Sequence, residues 1–338
     1  MRVHFVTVTE KTGKYFNMAK LLLYSFRKNA GIYKNAPFTI VFSGSGMPEN
    51  ELAALQNRFS PLHVRVMPRL SPALHMIKFN AYYVVDESAF DVLVYLDSDM
   101  VVLNPLDGIA AGMDGDGLFF KAGRIGLAGG VVLGYETLLK KYAGLTEAEL
   151  KLHRDASFIP GYPLFNGGMQ VITQKALIAM REDAVRISYD LYNRGTPNSL
   201  KGLIELQCHN LLFKKLLTMK RRGRSGGYVE SIMRSLARAH NNAFYPIWSS
   251  EQLGLTLSVL KNKIPFEVLD RKFNFPTLLK DGNLPAVLHY FQETYNFDRN
   301  HLFDGEWISD YSNSASPVKK ALAELVQSYN SDEHSLSA

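Results

Sequence analysis

The chain has 338 residues, of which 46% are hydrophobic and 21% are charged, and its formal net charge is +6. This length and composition suit one large globular domain, or one domain with an appended subdomain, and exclude a fibrous or disordered chain. Cys208 is the only cysteine, which excludes an intramolecular disulfide and a cysteine-rich zinc site.

The first hundred residues alternate between strand-like and helix-like segments. Hydrophobic periodicity predicts, in chain order, strand Val3–Thr9, helix Tyr15–Lys28, strand Pro37–Ser43, helix Glu49–Arg58, strand Leu62–Met67, helix His75–Val85 and strand Asp91–Leu96. This alternation is typical of βαβ units. The predicted fold is therefore an α/β fold with a mostly parallel central sheet flanked by helices.

Beyond residue 99 the pattern becomes less regular. The segments there predict extended chain at Met100–Leu103, Gly117–Ala122 and Gly168–Thr173, helices at Glu147–His153, Lys175–Asn193 and Leu203–Leu217, and loops at Gly123–Gly134 and Arg221–Gly227. The tail beyond Gln327 is polar, and we expect it to fray.

Membrane and export signals are absent from the pattern. No apolar run reaches the roughly 20 residues that a spanning helix needs, and Met1–Thr9 do not have the pattern of a signal peptide. A single cysteine also fits a reducing compartment. We therefore expect a cytoplasmic protein, with any membrane contact peripheral.

Part of the positive charge is concentrated between Lys214 and Arg224 and continues to Arg234 and Arg238. Such a run is often only a solvated loop, but it also fits contact with an anionic acceptor or an anionic membrane surface. The run lacks interleaved aromatic residues that would stack on bases, so we expect no nucleic-acid partner.

An acidic pair follows the most apolar predicted strand. Val92–Leu96 stop abruptly at Asp97-Ser98-Asp99. Ligands of parallel sheets bind beyond the carboxyl ends of the strands, which would place this pair on the same rim as Thr7–Tyr15. Two carboxylates so close together repel, and hard Mg²⁺ or Mn²⁺ would compensate them and could bridge a diphosphate. As a bare pattern, the pair also fits a solvated turn.

Several segments together carry a family resemblance. They are Met76–Tyr82 with Val94–Leu103, Phe5–Thr9 with Tyr15, Phe165–Met169, and Ala286–Tyr290. In order and spacing they resemble glycosyltransferase family 8, the glycogenin-type and lipopolysaccharide galactosyltransferase-like enzymes with a GT-A nucleotide-diphospho-sugar transferase fold.

The resemblance implies a role for each matching residue. Asp97, Asp99 and His289 would bind Mn²⁺ or Mg²⁺, with Asp97 also contacting the donor ribose. The donor site would further include Val8, Thr9, Tyr15, Lys78, Ser98, Asn166 and Gly168. Tyr15 would stack on the base, Asn166 would bond the sugar or the acceptor, and Lys78 and Asn166 would also be catalytic residues. Taken alone, Tyr15 also fits an apolar anchor of the first helix, Lys78 a surface lysine and His289 a core histidine.

The resemblance also implies the reaction and the domain organisation. A hexose would pass from a UDP-sugar to a glycan, a lipid-linked saccharide or a protein acceptor, with retention of anomeric configuration. Residues 1–300 would form the catalytic domain, its nucleotide-binding part at 1–105 and its acceptor-side part at 106–300, followed by an extension at 301–338 with a flexible tail.

Two segments depart from the family pattern. The family's Asp-Gln pair, which lies near the sugar, aligns with Glu205 and Leu206, or, with a shift of one residue, leaves Gln207 on the glutamine. Both alignments stay open, so Glu205 and Gln207 are alternative catalytic residues. The Lys-Pro-Trp that often follows the histidine is missing, and Arg299 or the basic segment Lys214–Arg224 could replace its phosphate contact.

Two other functions fit parts of the sequence. A hydrophobic strand followed by Asp97-Ser98-Asp99 also suits a haloacid-dehalogenase-like phosphatase, in which Asp97 would be the nucleophile. Some ninety residues precede the motif here, whereas that family usually carries it on the first strand. The same fold could also bind nucleotide or glycan without turnover.

Overall fold

A computed structural model describes residues 1–10, 13–44, 48–69, 74–84, 90–124, 135–155, 164–195, 249–276, 283–290 and 305–337. The strands are β1 (Val3–Thr9), β2 (Phe38–Ser43), β3 (Leu62–Met67), β4 (Val92–Leu96), β5 (Met100–Val102), β6 (Phe120–Arg124), β7 (Phe165–Thr173), β8 (Phe266–Val268), β9 (Phe275–Pro276) and β10 (Val287–His289). The α-helices are α1 (Lys14–Asn29), α2 (Glu49–Arg58), α3 (Ala81–Val84), α4 (Tyr135–Leu138), α5 (Glu147–Asp155), α6 (Gln174–Gly195), α7 (Ser250–Lys261), α8 (Gly305–Ser312) and α9 (Pro317–Ser337).

Within the described part of the chain, the larger sheet has seven strands in the order β3-β2-β1-β4-β7-β6-β8. Strands β3, β2, β1 and β4 pair in parallel, and β7 pairs with β4 in the antiparallel direction. A smaller sheet has the order β5-β10-β9. The predicted α/β class, with a mostly parallel central sheet flanked by helices, is confirmed.

Contacts divide the chain into two compact units. The first contains residues 1–123, 168–177 and 267–338, and the second contains residues 124–167 and 178–266. The second unit has its own core, in which Leu139, Leu150, Ile187 and Leu257 are buried. The metal centre described below belongs to the first unit.

Helix α1 joins the two cores of the first unit. Its residues Ala19, Leu22 and Phe26 pack in the core of the larger sheet. Met18 and Leu21 lie in a second core with residues of the small sheet and of α8 and α9. Every residue of β1 is buried, as expected for a strand of a parallel sheet that is covered on both faces.

Polar side chains of α1 fix the position of β5. The Val102 amide donates to Ser25 Oγ at 3.0 Å, and the Val102 carbonyl accepts from Asn29 Nδ2 at 2.8 Å. Because β5 begins directly after Asp99, these bonds fix the strand that continues from the acidic pair.

The predicted helix His75–Val85 is wrong in type over most of its length. The chain forms a 3₁₀ helix over Leu74–Asn80 and then the single α turn of α3. The described side chains from Met76 to Tyr82 are all buried, so tertiary packing outweighs the periodicity. Asn80 Nδ2 also donates to Ser43 Oγ at 3.3 Å and to the Pro68 carbonyl at 3.1 Å, which ties the end of the 3₁₀ helix to the carboxyl ends of β2 and β3.

The chain beyond Gln327, for which the sequence predicted fraying, continues as helix α9 to Ser337. Tyr329 is buried there against Tyr24 of α1, and the Tyr24 hydroxyl donates to Asp332 at 2.7 Å. These contacts with α1 thus stabilise a helix end whose polar sequence predicts fraying. In the parts of the chain that the structure describes, no helix has both the length and the apolarity needed to cross a membrane.

Candidate metal centre

Asp97 is the first residue after β4, and contacts from three directions hold it. Its amide donates to the Gly168 carbonyl of β7 at 2.7 Å. Its Oδ1 accepts from the Tyr95 hydroxyl at 2.6 Å and lies 3.3 Å from Lys78 Nζ. Tyr95 and Asp97 are two residues apart at the end of one strand, a spacing that places side chains on the same face.

Asp99 is held by the smaller sheet instead. Its carbonyl accepts from the Tyr290 amide at 3.1 Å, and β5 and β10 are antiparallel with Met100 opposite His289. This register brings His289 Nε2 to 3.3 Å from Asp99 Oδ1. The two aspartates therefore lie where the larger sheet passes into the smaller one.

The orientation of the His289 ring follows from the alternation of β10. Leu288 faces the second core, whereas Val287 lies in the core of the larger sheet, so His289, two residues on, turns toward the larger sheet as well. The His289 side chain is only 7% exposed. Its Nδ1 lies 3.1 Å from Asn274 Oδ1, and since this amide oxygen can only accept, Nδ1–H is the donor.

That hydrogen bond decides the state of the other ring nitrogen. In the neutral ring with the proton on Nδ1, Nε2 carries a lone pair, and this lone pair points at the Asp99 carboxylate. A lone pair and a carboxylate oxygen repel unless a cation or a second proton lies between them. The arrangement therefore favours a positive charge at this point.

Burial and neighbouring charges shift the pKa of two groups at the centre. Burial raises the pKa of the Asp99 carboxyl, but neighbouring His289 and Lys78 outweigh it, so the net pKa lies below the usual value. Burial, together with the charge of Asp99, raises the pKa of the Tyr290 phenol well above its usual value. Near neutral pH the centre thus holds an ionised Asp99 next to a neutral phenol.

Asp97, Asp99 and His289 each offer one ligand atom, and these atoms all lie within 4.8 Å of one another. Among the described residues they are the only group of three or more histidine, cysteine, aspartate or glutamate side chains with this geometry. Two carboxylates and an imidazole can hold a divalent cation.

The structure brings together most of the donor-site residues that the sequence predicted within the first unit. Lys78 is nearly buried and contacts Asp97, and Ser98, the next residue in the chain, is also nearly buried. The Gly168 carbonyl accepts the amide hydrogen of Asp97. Val8 and Thr9 lie at the carboxyl end of β1, the parallel neighbour of β4, and both are buried.

The structure describes Tyr15 and Asn166 among the remaining predicted residues, and the others lie outside its described ranges. Tyr15 is half-buried in the first turn of α1 and packs on the second core. Asn166 is half-buried on β7, in the second unit. Glu205, Gln207, Arg299 and the basic segment from Lys214 to Arg238 lie outside the described residues.

Sequence reasoning missed two residues that contact the group. Tyr95 donates to Asp97, and its position two residues before Asp97 on a strand was a usable signal. Asn274 accepts from His289 across 15 positions of sequence. It lies directly before β9 in no recognised motif, and only the fold shows its role.

The chain matches no family model and no curated protein. Similar solved structures include mouse xyloside xylosyltransferase 1, with 12% identity, a TM-score of 0.46, and 87% of this chain and 99% of that chain covered. Glycosyltransferase GlyE of Streptococcus pneumoniae TIGR4 has 11% identity and a TM-score of 0.48, and the match covers 96% of this chain but only 61% of GlyE. An active-site mutant of LgtC has 13% identity and a TM-score of 0.47, with 97% and 96% covered. Likenesses at this level of identity and TM-score assign no activity to this chain.

Proposed function

We propose that the protein is a metal-dependent glycosyltransferase that uses a nucleotide-diphospho-sugar donor. The observation that carries the proposal is the convergence of Asp97, Asp99 and His289, whose ligand atoms lie within 4.8 Å of one another beyond the carboxyl end of β4. In open α/β sheets this edge is where ligands bind. The family 8 resemblance of the surrounding segments points to the same reaction.

The donor set fits the cation that this reaction needs. Carboxylate oxygens suit Mn²⁺ and Mg²⁺, and the single imidazole nitrogen adds a third protein ligand to the two carboxylates. His289 Nε2 lies 3.3 Å from Asp99 Oδ1, a contact that a cation between the two atoms would make favourable. When bound, the cation would neutralise charge that develops on the departing nucleotide diphosphate.

The chain's own residues would bind and orient the donor. Lys78 is a buried cation 3.3 Å from Asp97 and would extend its charge to the phosphates, as the resemblance suggests. Val8, Thr9 and Tyr15 would hold uridine, and Asn166 the sugar. UDP as the nucleotide, a hexose as the sugar and a glycan-bearing acceptor are the corresponding specific proposals.

Titration calorimetry of UDP tests the metal-dependent part. UDP should bind the wild-type protein more tightly with Mn²⁺ than without it, whereas Asp99→Ala should remove the difference and leave the fold intact. Asp116→Ala is the matched control, because it deletes one exposed carboxylate from the same unit. Equal UDP affinity with and without Mn²⁺ in the wild type would refute the proposal.

A second assay separates the enzyme classes. Incubation with a panel of nucleotide sugars and Mn²⁺ should release the nucleotide by cleavage of the sugar–phosphate bond. Cleavage of phosphomonoesters instead would identify the phosphatase alternative, and binding without turnover would identify a non-catalytic module.

Retention of configuration is part of the proposal and has its own test. A retaining enzyme can use a leaving-group oxygen as base on the same face, whereas an inverting one needs a carboxylate placed to deprotonate the acceptor. We expect an α-linked product from an α-configured donor. Proton NMR coupling of the anomeric hydrogen measures this, and a β-linked product would contradict it.

A further inference from the structure

Asn274 lies directly behind the histidine of the metal centre. It follows the 3₁₀ helix Arg271–Phe273, its amide donates to the Arg271 carbonyl at 3.2 Å, and it immediately precedes β9. Strand β9 pairs with β10 so that Pro276 lies opposite His289. The backbone on both sides of Asn274 is therefore fixed next to the strand that carries the histidine.

The Asn274 side chain occupies space that is open because residue 123 is a glycine. A Cβ placed on Gly123, near the end of β6, would lie 2.2 Å from Asn274 Nδ2 and 3.1 Å from its Cγ. Real Cβ atoms essentially never lie within 3.0 Å of a non-bonded heavy atom, so any residue other than glycine at 123 would displace the Nδ2 end of the amide. Gly123 does not have a positive φ, which means that the space for Asn274 is what requires glycine here.

The opposite end of the amide contacts His289. Asn274 Oδ1 accepts from Nδ1–H at 3.1 Å, which leaves Nε2 as the nitrogen that faces Asp99. Without this acceptor the ring proton could move to Nε2, and the ring could also rotate, either of which would remove the lone pair from the metal centre. Groups of this kind orient metal-ligating histidines and raise their basicity.

We propose that Asn274, seated on Gly123, is a positioning residue that fixes the tautomer and orientation of His289 for cation binding. The proposal rests on the metal-dependent function above. It deepens that function by assigning two residues that neither the acidic motif nor the late histidine strand contains. Gly123 has a part in this positioning because it leaves space for the Asn274 side chain, although Gly123 is not a metal ligand itself.

The test measures binding of Mn²⁺ alone, by electron paramagnetic resonance of the free ion, without donor or turnover. Asn274→Leu keeps the approximate shape and removes the acceptor, and we expect it to weaken Mn²⁺ binding by about 10- to 100-fold. Asn274→Asp keeps an acceptor oxygen and should bind Mn²⁺ about as well as the wild type. Gly123→Ala keeps the amide but displaces it, and should weaken binding in the same direction as the leucine variant.

A matched control separates positioning from a general loss of stability. Asn262 is also half-buried and bonds Asp183 and the Ser258 carbonyl, in the second unit. Asn262→Leu should lower the melting temperature without changing Mn²⁺ affinity. If Asn274→Leu does not fold, Gly123→Ala against Asn274→Asp gives the same contrast.

The outcomes distinguish the two proposals. Wild-type affinity in both Asn274→Leu and Gly123→Ala, with Mn²⁺ still bound, would overturn the positioning role alone. Failure of the folded wild type to bind Mn²⁺ would overturn the metal centre and the positioning role together. Loss in Asn274→Leu and in Gly123→Ala, with rescue in Asn274→Asp, is the result expected.

Discussion

Two histidines of this protein have nearly the same burial and opposite surroundings. His4 of β1 is 5% exposed and its Nε2 lies 2.8 Å from Thr39 Oγ1, whereas His289 is 6% exposed and its Nδ1 donates to Asn274. The other neighbours differ. The His4 ring stacks on that of His63 and lies tilted to that of Phe90, whereas His289 faces the carboxylate of Asp99.

The difference shows that burial does not identify a functional histidine. Burial and the repulsion of His63 lower the pKa of His4 to about 4, so His4 is a neutral part of the sheet. At His289, by contrast, Nε2 lies 3.3 Å from the Asp99 carboxylate, within a group that can hold a cation. The decisive feature is the group that lies next to each histidine ring.

The largest effect is expected from His289→Ala. Loss of a ligand should lower Mn²⁺ affinity by more than about 100-fold, beyond the range for a residue that only supports a ligand. His4→Ala should leave Mn²⁺ affinity unchanged and lower stability instead. Mn²⁺ titration and thermal melting of both variants check this crossed pattern, and equal effects of the two changes on Mn²⁺ binding would contradict it.

Asp99→Asn should make the surroundings of His289 more like those of His4. It removes the charge that faces Nε2 while keeping the size of the side chain. By analogy with the removal of one member of a buried charge pair, the loss of this carboxylate ligand should cost about 2 kcal/mol or more of Mn²⁺ binding free energy. We therefore expect Mn²⁺ to bind at least about 30-fold more weakly. The same titration measures it, with Asp116→Asn as the control, and an unchanged affinity would exclude Asp99 as a ligand.

His4 should make stability depend on pH. Its pKa is lower in the folded than in the unfolded protein, so its contribution is fully present above about pH 6.5 and is lost as pH falls toward about 4. Relative to a His4→Gln variant, the wild type should lose about 2 kcal/mol of unfolding free energy between about pH 7.5 and pH 5. Urea unfolding at both pH values gives the difference, and parallel losses in the two proteins would show that His4 does not cause it.

Tyr95→Phe should have the smallest effect on the centre. It removes the hydroxyl that donates to Asp97 Oδ1, while Lys78 still holds that carboxylate. We expect Mn²⁺ affinity to fall about fivefold, which corresponds to about 1 kcal/mol. Tyr24→Phe is the control, because its hydroxyl donates to the Asp332 carboxylate on α9. A loss as large as that of Asp99→Asn would mean that Tyr95 itself contacts the ligand.

The sequence predicted the first strands and helices within about two residues because their periodicity is local and their packing agrees with it. Five consecutive apolar residues predicted strand β4, and the run ends directly before Asp97, the first residue of the acidic pair. The sequence did not predict the 3₁₀ helix Leu74–Asn80, because a segment that is buried on every side has no amphipathic periodicity. The helices α7, α8 and α9 were not predicted either.

The sequence by itself determined the alternation of strands and helices, the abrupt end of β4 at two carboxylates, and the identity of a histidine near the end of a late strand. Only the tertiary structure decided that these groups meet. The β5–β10 register sets His289 beside Asp99, and the space over Gly123 admits Asn274 behind it. The physical reason is that hydrophobic periodicity is encoded by neighbours in sequence, whereas strand register and close packing depend on residues far apart in the chain.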